Sequence, residues 1–115
     1  MKTVEQFLNE KIDKLATGDI AAKKRIMIDF DGVVHAYSKG FHDGTIYDEP
    51  QKDCEKYLKL LISKGYNLIL FTARINAEEN GLENIKNWLQ KYDLLKYFDE
   101  ITDKKYPSKV IIDDS

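Results

Sequence analysis

What this chain has little of narrows the possibilities first. It carries one cysteine, Cys54, so no internal disulfide can form. Its place in a helical apolar stripe reads as a buried thiol rather than a reactive one. That points to a reducing, cytoplasmic setting. Excess charge is also scarce, with 18 Lys and Arg against 20 Asp and Glu and a net charge of −2, so no basic field drives nonspecific nucleic-acid binding. No hydrophobic run approaches a membrane span, and the amino terminus, MKTVEQFLNEK, is polar where a signal peptide needs an apolar stretch. A protein with no membrane partner and no export signal is expected. Internal repeats, low-complexity stretches and linkers are missing too. The 115 residues suit one domain, which by surface scaling buries about 65% of its unfolded surface.

What is present alternates. Val4, Phe7, Leu8, Ile12 and Leu15 recur at helical spacing and predict an amino-terminal packing helix within residues 1–20, ending near Gly18, ahead of a core over 25–115. Arg25 to Phe30 is apolar on both parities, as a strand covered on both faces must be. Residues 34 to 48, with Gly40, Gly44, two histidines and scattered aromatics, have no period and read as a loop or flap. Asp48-Glu49-Pro50 predicts a helix start, since Asp caps free amides and Pro is tolerated in the first turn. That helix carries Cys54, Tyr57, Leu58 and Leu61 on one face and stops at Gly65. A buried strand over 67–71 comes next, then a helix from Glu79 to Tyr92 with Leu82, Ile85, Leu89 and Tyr92 on its face and Trp88 beside it. A weak strand over 98–102 and a firm one over 109–112 close the pattern. Strands alternating with helices predict an α/β fold, a three-layer Rossmann-like parallel sheet with flanking helices.

In such sheets ligands bind beyond the carboxyl ends of the strands. The residues there are Asp29 and Asp31, Thr72, Lys104 and Lys105, and Asp113 with Asp114. Clustered carboxylates repel unless a cation offsets them, and hard oxygen donors without Cys or His point to magnesium before zinc. In Asp29-Phe-Asp31-Gly32 the first and third side chains share one side, and Gly32 permits a tight exit. Taken singly, each element has an ordinary reading: a capped turn, a strand end, solvated lysines, a charged tail.

Together, Ile28-Asp-Phe-Asp-Gly-Val-Val34, Leu70-Phe-Thr-Ala-Arg74, Lys105 and Ile112-Asp-Asp114 resemble the ordered motifs of the haloacid dehalogenase (HAD) superfamily. In detail they look like the small capless HAD-like hydrolases of bacteria and phages. The resemblance covers residues 25–115 and implies an Mg2+-dependent phosphatase. In that scheme Asp29 attacks phosphorus and Asp31 serves as general acid and base. The Thr72 hydroxyl and nearby amides hold the phosphoryl oxygens, with Gly32, Ala73 and Arg74 on the substrate side, and Lys105 neutralises charge. Asp29, the Asp31 carbonyl and Asp114 hold the metal, with Asp113 a ligand or an outer-shell partner.

Arg74 could reach a second substrate phosphate or pair with a site carboxylate. Tyr37, Phe41 and Tyr47 could stack on a nucleobase or pack on one another. His35 and His42 lack metal-like spacing and read as solvated. The stretch between Asp31 and Thr72 and that between Thr72 and Lys105 are filled by the predicted elements, so no cap domain fits. The expected substrate is a phosphorylated small molecule, a nucleotide or a nucleic-acid end, with a homo-oligomer possible. A receiver domain would need its acidic pair after the first strand and its acceptor Asp after a middle one. A primase-type fold would need a Glu after the first strand. The alternative from another class is a noncatalytic module that keeps the metal site.

Overall fold

The computed structural model describes residues 25–41, 43–105 and 110–112. The expected amino-terminal helix, His42, Lys109, Asp113 and Asp114 lie outside them. Four strands form one sheet: β1 (Arg25–Asp29), β2 (Asn67–Phe71), β3 (Glu100–Thr102) and β4 (Val110–Ile112). Their order is β3-β2-β1-β4 and every pairing is parallel. The result is a mixed α/β architecture around a small parallel sheet. Between β1 and β2 runs helix α1 (Cys54–Ser63). Between β2 and β3 run the short α2 (Arg74–Ala77), α3 (Gly81–Lys91) and a 3₁₀ turn over Leu95–Tyr97.

The central strands are buried on both parities, as their composition predicts. Ile26 and Ile28 join Leu68 and Leu70 in a core with Leu58 and Leu61 of α1 and Ile85, Trp88 and Leu89 of α3. Side chains alternate along a strand, so α1 and α3 share one face of the sheet. Met27 and Ile69, of opposite parity, are buried as well, which leaves both faces covered.

The amphipathic face of α1 is the expected one: Cys54, Tyr57, Leu58 and Leu61 are buried. The helix ends in a Schellman motif, in which the Tyr66 amide donates to the Leu61 carbonyl and the Gly65 amide to the Ile62 carbonyl. Gly65 supplies the required φ of 92°. α3 closes the same way, with Asp93 at φ 57° where a glycine is usual. Its buried stripe runs Gly81, Ile85, Trp88 and Leu89. That phase leaves Leu82 at the edge of the stripe, 37% exposed, and draws Trp88 into the core.

The expected helix start at Asp48-Glu49-Pro50 is not formed. The chain there is extended and pairs antiparallel with the segment after β1: the Ala36 amide donates to the Glu49 carbonyl and the Gln51 amide to the Val34 carbonyl. Pro50 sits in that bridge and α1 begins only at Cys54, behind Asp53 in a left-handed conformation at φ 62°.

Burial, with a lesser push from Glu55, raises the Cys54 thiol to about 12. The thiolate is the reactive species, so Cys54 should resist a chromogenic disulfide reagent at pH 8 in the folded protein. It should react at the rate of a free thiol in denaturant. Fast labelling of the native chain would mean that α1 detaches readily from the sheet.

Candidate active site

The carboxyl ends of the strands come level. Asp29 of β1 pairs with Phe71 of β2, which pairs with Thr102 of β3, while β4 ends with Ile112 opposite Ile28. Past this edge the Phe30 amide still donates to the Phe71 carbonyl and the Thr72 amide to the Thr102 carbonyl. The first residues beyond β1 and β2 are therefore held close to the sheet.

After β1 the chain winds tightly. The Phe30 carbonyl accepts from the Val34 and His35 amides, and the Gly32 amide donates to the His35 carbonyl. Gly32 has φ 85°, the left-handed conformation that an L side chain resists. It thus serves the tight exit expected of it, and its amide is spent on His35. Asp29 stands half-buried at the strand end, with Oδ1 accepting the Phe30 amide at 3.1 Å.

Asp31 is held by both oxygens. Oδ1 accepts from His35 Nδ1 at 2.9 Å and from Arg74 Nη2 at 3.0 Å, and Oδ2 accepts from Arg74 Nε at 2.9 Å. This is the fork geometry in which guanidinium binds carboxylate most firmly. Burial pushes the Asp31 carboxyl up, but the hydrogen bonds from His35 and Arg74 and the guanidinium charge outweigh it and hold the group below its ordinary value. Asp31 is a carboxylate at neutral pH.

Arg74, at the start of α2, is 6% exposed. Besides Asp31 it donates from Nη1 to the Gly44 carbonyl and to Glu78 Oε1. Of its two expected roles, the structure shows the pairing with a site carboxylate. Its guanidinium carbon lies 5.9 Å from the ring centres of both Phe30 and Tyr37, a cation between two aromatic faces.

His35 corrects the expectation of a solvated histidine: it is fully buried. Its ring stacks on Phe30 at 5.4 Å and meets Tyr47 and Trp88 edge-on. The Asp48 amide donates to Nε2 at 3.0 Å, so the ring hydrogen sits on Nδ1 and is given to Asp31. Sequence carried one faint signal for this residue, an offset of four from Asp31 after two buried valines.

Thr72 is buried, and its Oγ1 accepts the Arg74 amide at 3.2 Å. A hydroxyl that accepts keeps its own hydrogen to donate. Ala73 beside it is exposed. After β3, Lys105 is exposed and sets Nζ 5.3 Å from the centre of the Phe71 ring, beside the level of Asp29. The neighbouring Lys104 gives its backbone amide to Thr102 Oγ1 and is likewise exposed.

The flap is bound to itself. Asp48 Oδ2 accepts from the Ser38 amide and hydroxyl, and these bonds, with that from the Glu49 amide, lower the Asp48 carboxyl to about 2. The Tyr47 hydroxyl accepts from the Lys39 amide and donates to the Gly40 carbonyl. Tyr37 and Tyr47 stack on each other, whereas Phe41 is 72% exposed. Among the described residues no three His, Cys, Asp or Glu side chains gather as a metal site, and no helix is long and apolar enough to cross a membrane.

Comparison of the chain with family models, with curated proteins and with solved structures returned no match.

Proposed function

We propose that this protein is a magnesium-dependent phosphohydrolase that works through a phospho-aspartate at Asp29, in the manner of the HAD superfamily its motifs resemble. The observation that carries the reading is convergence. The carboxylate of Asp29, the hydroxyl of Thr72 and the side chain of Lys105 stand at or just past the ends of three different strands, at one edge of a parallel sheet. The strand order β3-β2-β1-β4 supports it further. This is the start of a doubly wound order, and it places β1 beside the point where the order reverses, the usual seat of a ligand.

The chemistry divides into two displacements. An Asp29 carboxylate oxygen attacks phosphorus, and the bond from phosphorus to the leaving oxygen breaks, that oxygen taking up a proton. Water then attacks the phosphorus of the acyl phosphate and gives a proton to Asp31. The bond to Asp29 breaks, inorganic phosphate is released and the carboxylate is restored. Asp31, held ionised by His35 and Arg74, suits the second step directly. Because Asp31 rests as a carboxylate, that proton passes to solvent between cycles, and to act as the acid of the first step Asp31 takes up a proton anew with the substrate. Thr72 donates its hydroxyl hydrogen to a phosphoryl oxygen, and Lys105 offsets negative charge.

The donors present fit magnesium chemically, because they are hard oxygens without sulfur or imidazole. The Asp29 carboxylate and the Asp31 main-chain carbonyl would hold the ion, the Asp31 side chain being committed elsewhere, together with Asp113 or Asp114 beyond β4. Bound there, the ion would supply positive charge to the phosphoryl oxygens.

An aryl phosphate is the suitable probe, since its leaving oxygen departs with little need of a proton. We expect turnover with magnesium, its loss in excess chelator, its return when magnesium is restored, and no support from calcium, whose looser coordination misplaces the nucleophile. Full activity in chelator would sink the metal assignment. Magnesium binding without turnover on any of a panel of phosphate monoesters would favour the noncatalytic alternative. Nucleotides and end-phosphorylated oligonucleotides belong in that panel because Phe41 is the most exposed of the three flap aromatics.

A further inference from the structure

We infer that Arg74 and His35 are positioning residues that tie the flap to the Asp31 carboxylate at two points, so that the closed flap and the orientation of Asp31 are one mechanical state. The kinetic half of this inference rests on the phosphohydrolase reading; the mechanical half does not. From Asp31, one line of bonds runs through the His35 ring to the Asp48 amide. Another runs through the Arg74 guanidinium to the Gly44 carbonyl. Gly44 and Asp48 bracket the returning limb of the flap, and Ser38 on the outgoing limb is bound to Asp48. Both limbs are therefore tied to one carboxylate, while the Ala36–Glu49 and Gln51–Val34 backbone bonds and the bond from Trp88 Nε1 to the Asp48 carbonyl hold the base of the flap independently.

None of the three groups can turn alone. His35 is packed among Phe30, Tyr37, Tyr47 and Trp88. Arg74 lies between Phe30 and Tyr37 and is braced by Glu78. If Asp31 rotated away, a nearly buried guanidinium would lose its principal counter-charge and the Gly44 contact would lose its support. A carboxylate confined to one orientation is what proton transfer to a fixed phosphoryl centre requires. Lysine cannot stand in for the arginine: its single ammonium lacks the planar fork that engages both Asp31 oxygens while reaching the Gly44 carbonyl.

The test uses Arg74→Lys in the full chain, which keeps the charge and removes the fork. Limited trypsin digestion reads the flap by cutting after exposed Lys39, with exposed Lys64 at the end of α1 as an internal control. When opening is fast, cutting tracks the population of the open state. We expect cutting at Lys39 to accelerate at least about tenfold in the variant with Lys64 unchanged, on the scale of losing a charge-assisted hydrogen bond. On an aryl phosphate we expect kcat to fall at least about tenfold while KM stays within about twofold, as for a misplaced reacting group rather than a lost binding contact.

Unchanged cutting at Lys39, or equal acceleration at both sites, overturns the coupling. Faster cutting at Lys39 with unaltered kcat overturns the link to Asp31. Should Arg74→Lys fail to fold, Asp31→Asn, nearly isosteric, removes the charge and turns one accepting oxygen into an NH2 that cannot accept from Arg74 or His35, and it is read by the same cut. If the wild-type chain hydrolyses nothing, the phosphohydrolase reading fails and the Lys39 cut still decides the mechanical inference.

Discussion

Asp29→Asn is expected to abolish turnover in a protein that still folds. The amide has nearly the shape of the carboxylate, and its oxygen can go on accepting the Phe30 amide that Asp29 accepts at 3.1 Å. What it loses is chemistry: the amide oxygen is a poor nucleophile and a weak ligand for a hard cation. Removing the nucleophile of a covalent mechanism costs on the order of 10⁴-fold or more in kcat, the largest effect expected of any single change here. Steady-state hydrolysis of an aryl phosphate, read beside the circular dichroism of the same preparation, checks it. A folded variant with wild-type rates would place the attacking group elsewhere and would leave the level of Asp29, Phe71 and Thr102 without its chemical meaning.

The second large effect is on stability and has a sign opposite to that from helix propensity. Gly81 opens α3, and alanine in a helix is ordinarily better than glycine by about 1 kcal/mol. A β-carbon built at Gly81 falls on the Arg74 carbonyl and within 3.2 Å of the Ile75 Cα. Those atoms are backbone and cannot swing aside as a side-chain tip would. The junction between α2 and α3 must widen, at a cost of about 1–3 kcal/mol for overpacking. Gly81→Ala should therefore lower Tm by roughly 5–10 °C for a chain of this size. A rise in Tm would show that α2 gives way without strain. Because Arg74 begins α2, the same variant should also loosen the grip on Asp31.

Buried parallel strands announce themselves: Ile26 to Ile28 and Leu68 to Leu70 are apolar on both parities, and the sheet buries both parities. Equally legible was the edge that Asp29, Asp31 and Thr72 share, because the residue after a strand needs only the strand to be placed. His35 was not legible. Its burial depends on Trp88 and Tyr47 and its second hydrogen bond on the Asp48 amide, all distant in sequence, while its neighbours show no period. Asp48-Glu49-Pro50 misled for a related reason. A capping Asp before a Pro is the same local signal whether the chain goes on to a helix or to an extended pairing. Here the carbonyls of Val34 and Glu49 decide for pairing. Arg74 fell between the two cases: its type implied an anionic partner, and only the fold could show that the partner is the protein's own Asp31.

The position of β1 bears on how the molecule comes into being. β1 is the first of the four strands in the chain, yet it lies between β2 and β4, both later in sequence. Its Ile-Met-Ile centre must wait without a backbone partner on either side until the segment 67–71 has formed, and its second edge waits until 110–112. An apolar strand with two open edges is a template for any other chain that offers one. Refolding yield after dilution from denaturant should accordingly depend steeply on protein concentration, so a strand enclosed at the centre of the native sheet is an open liability while folding.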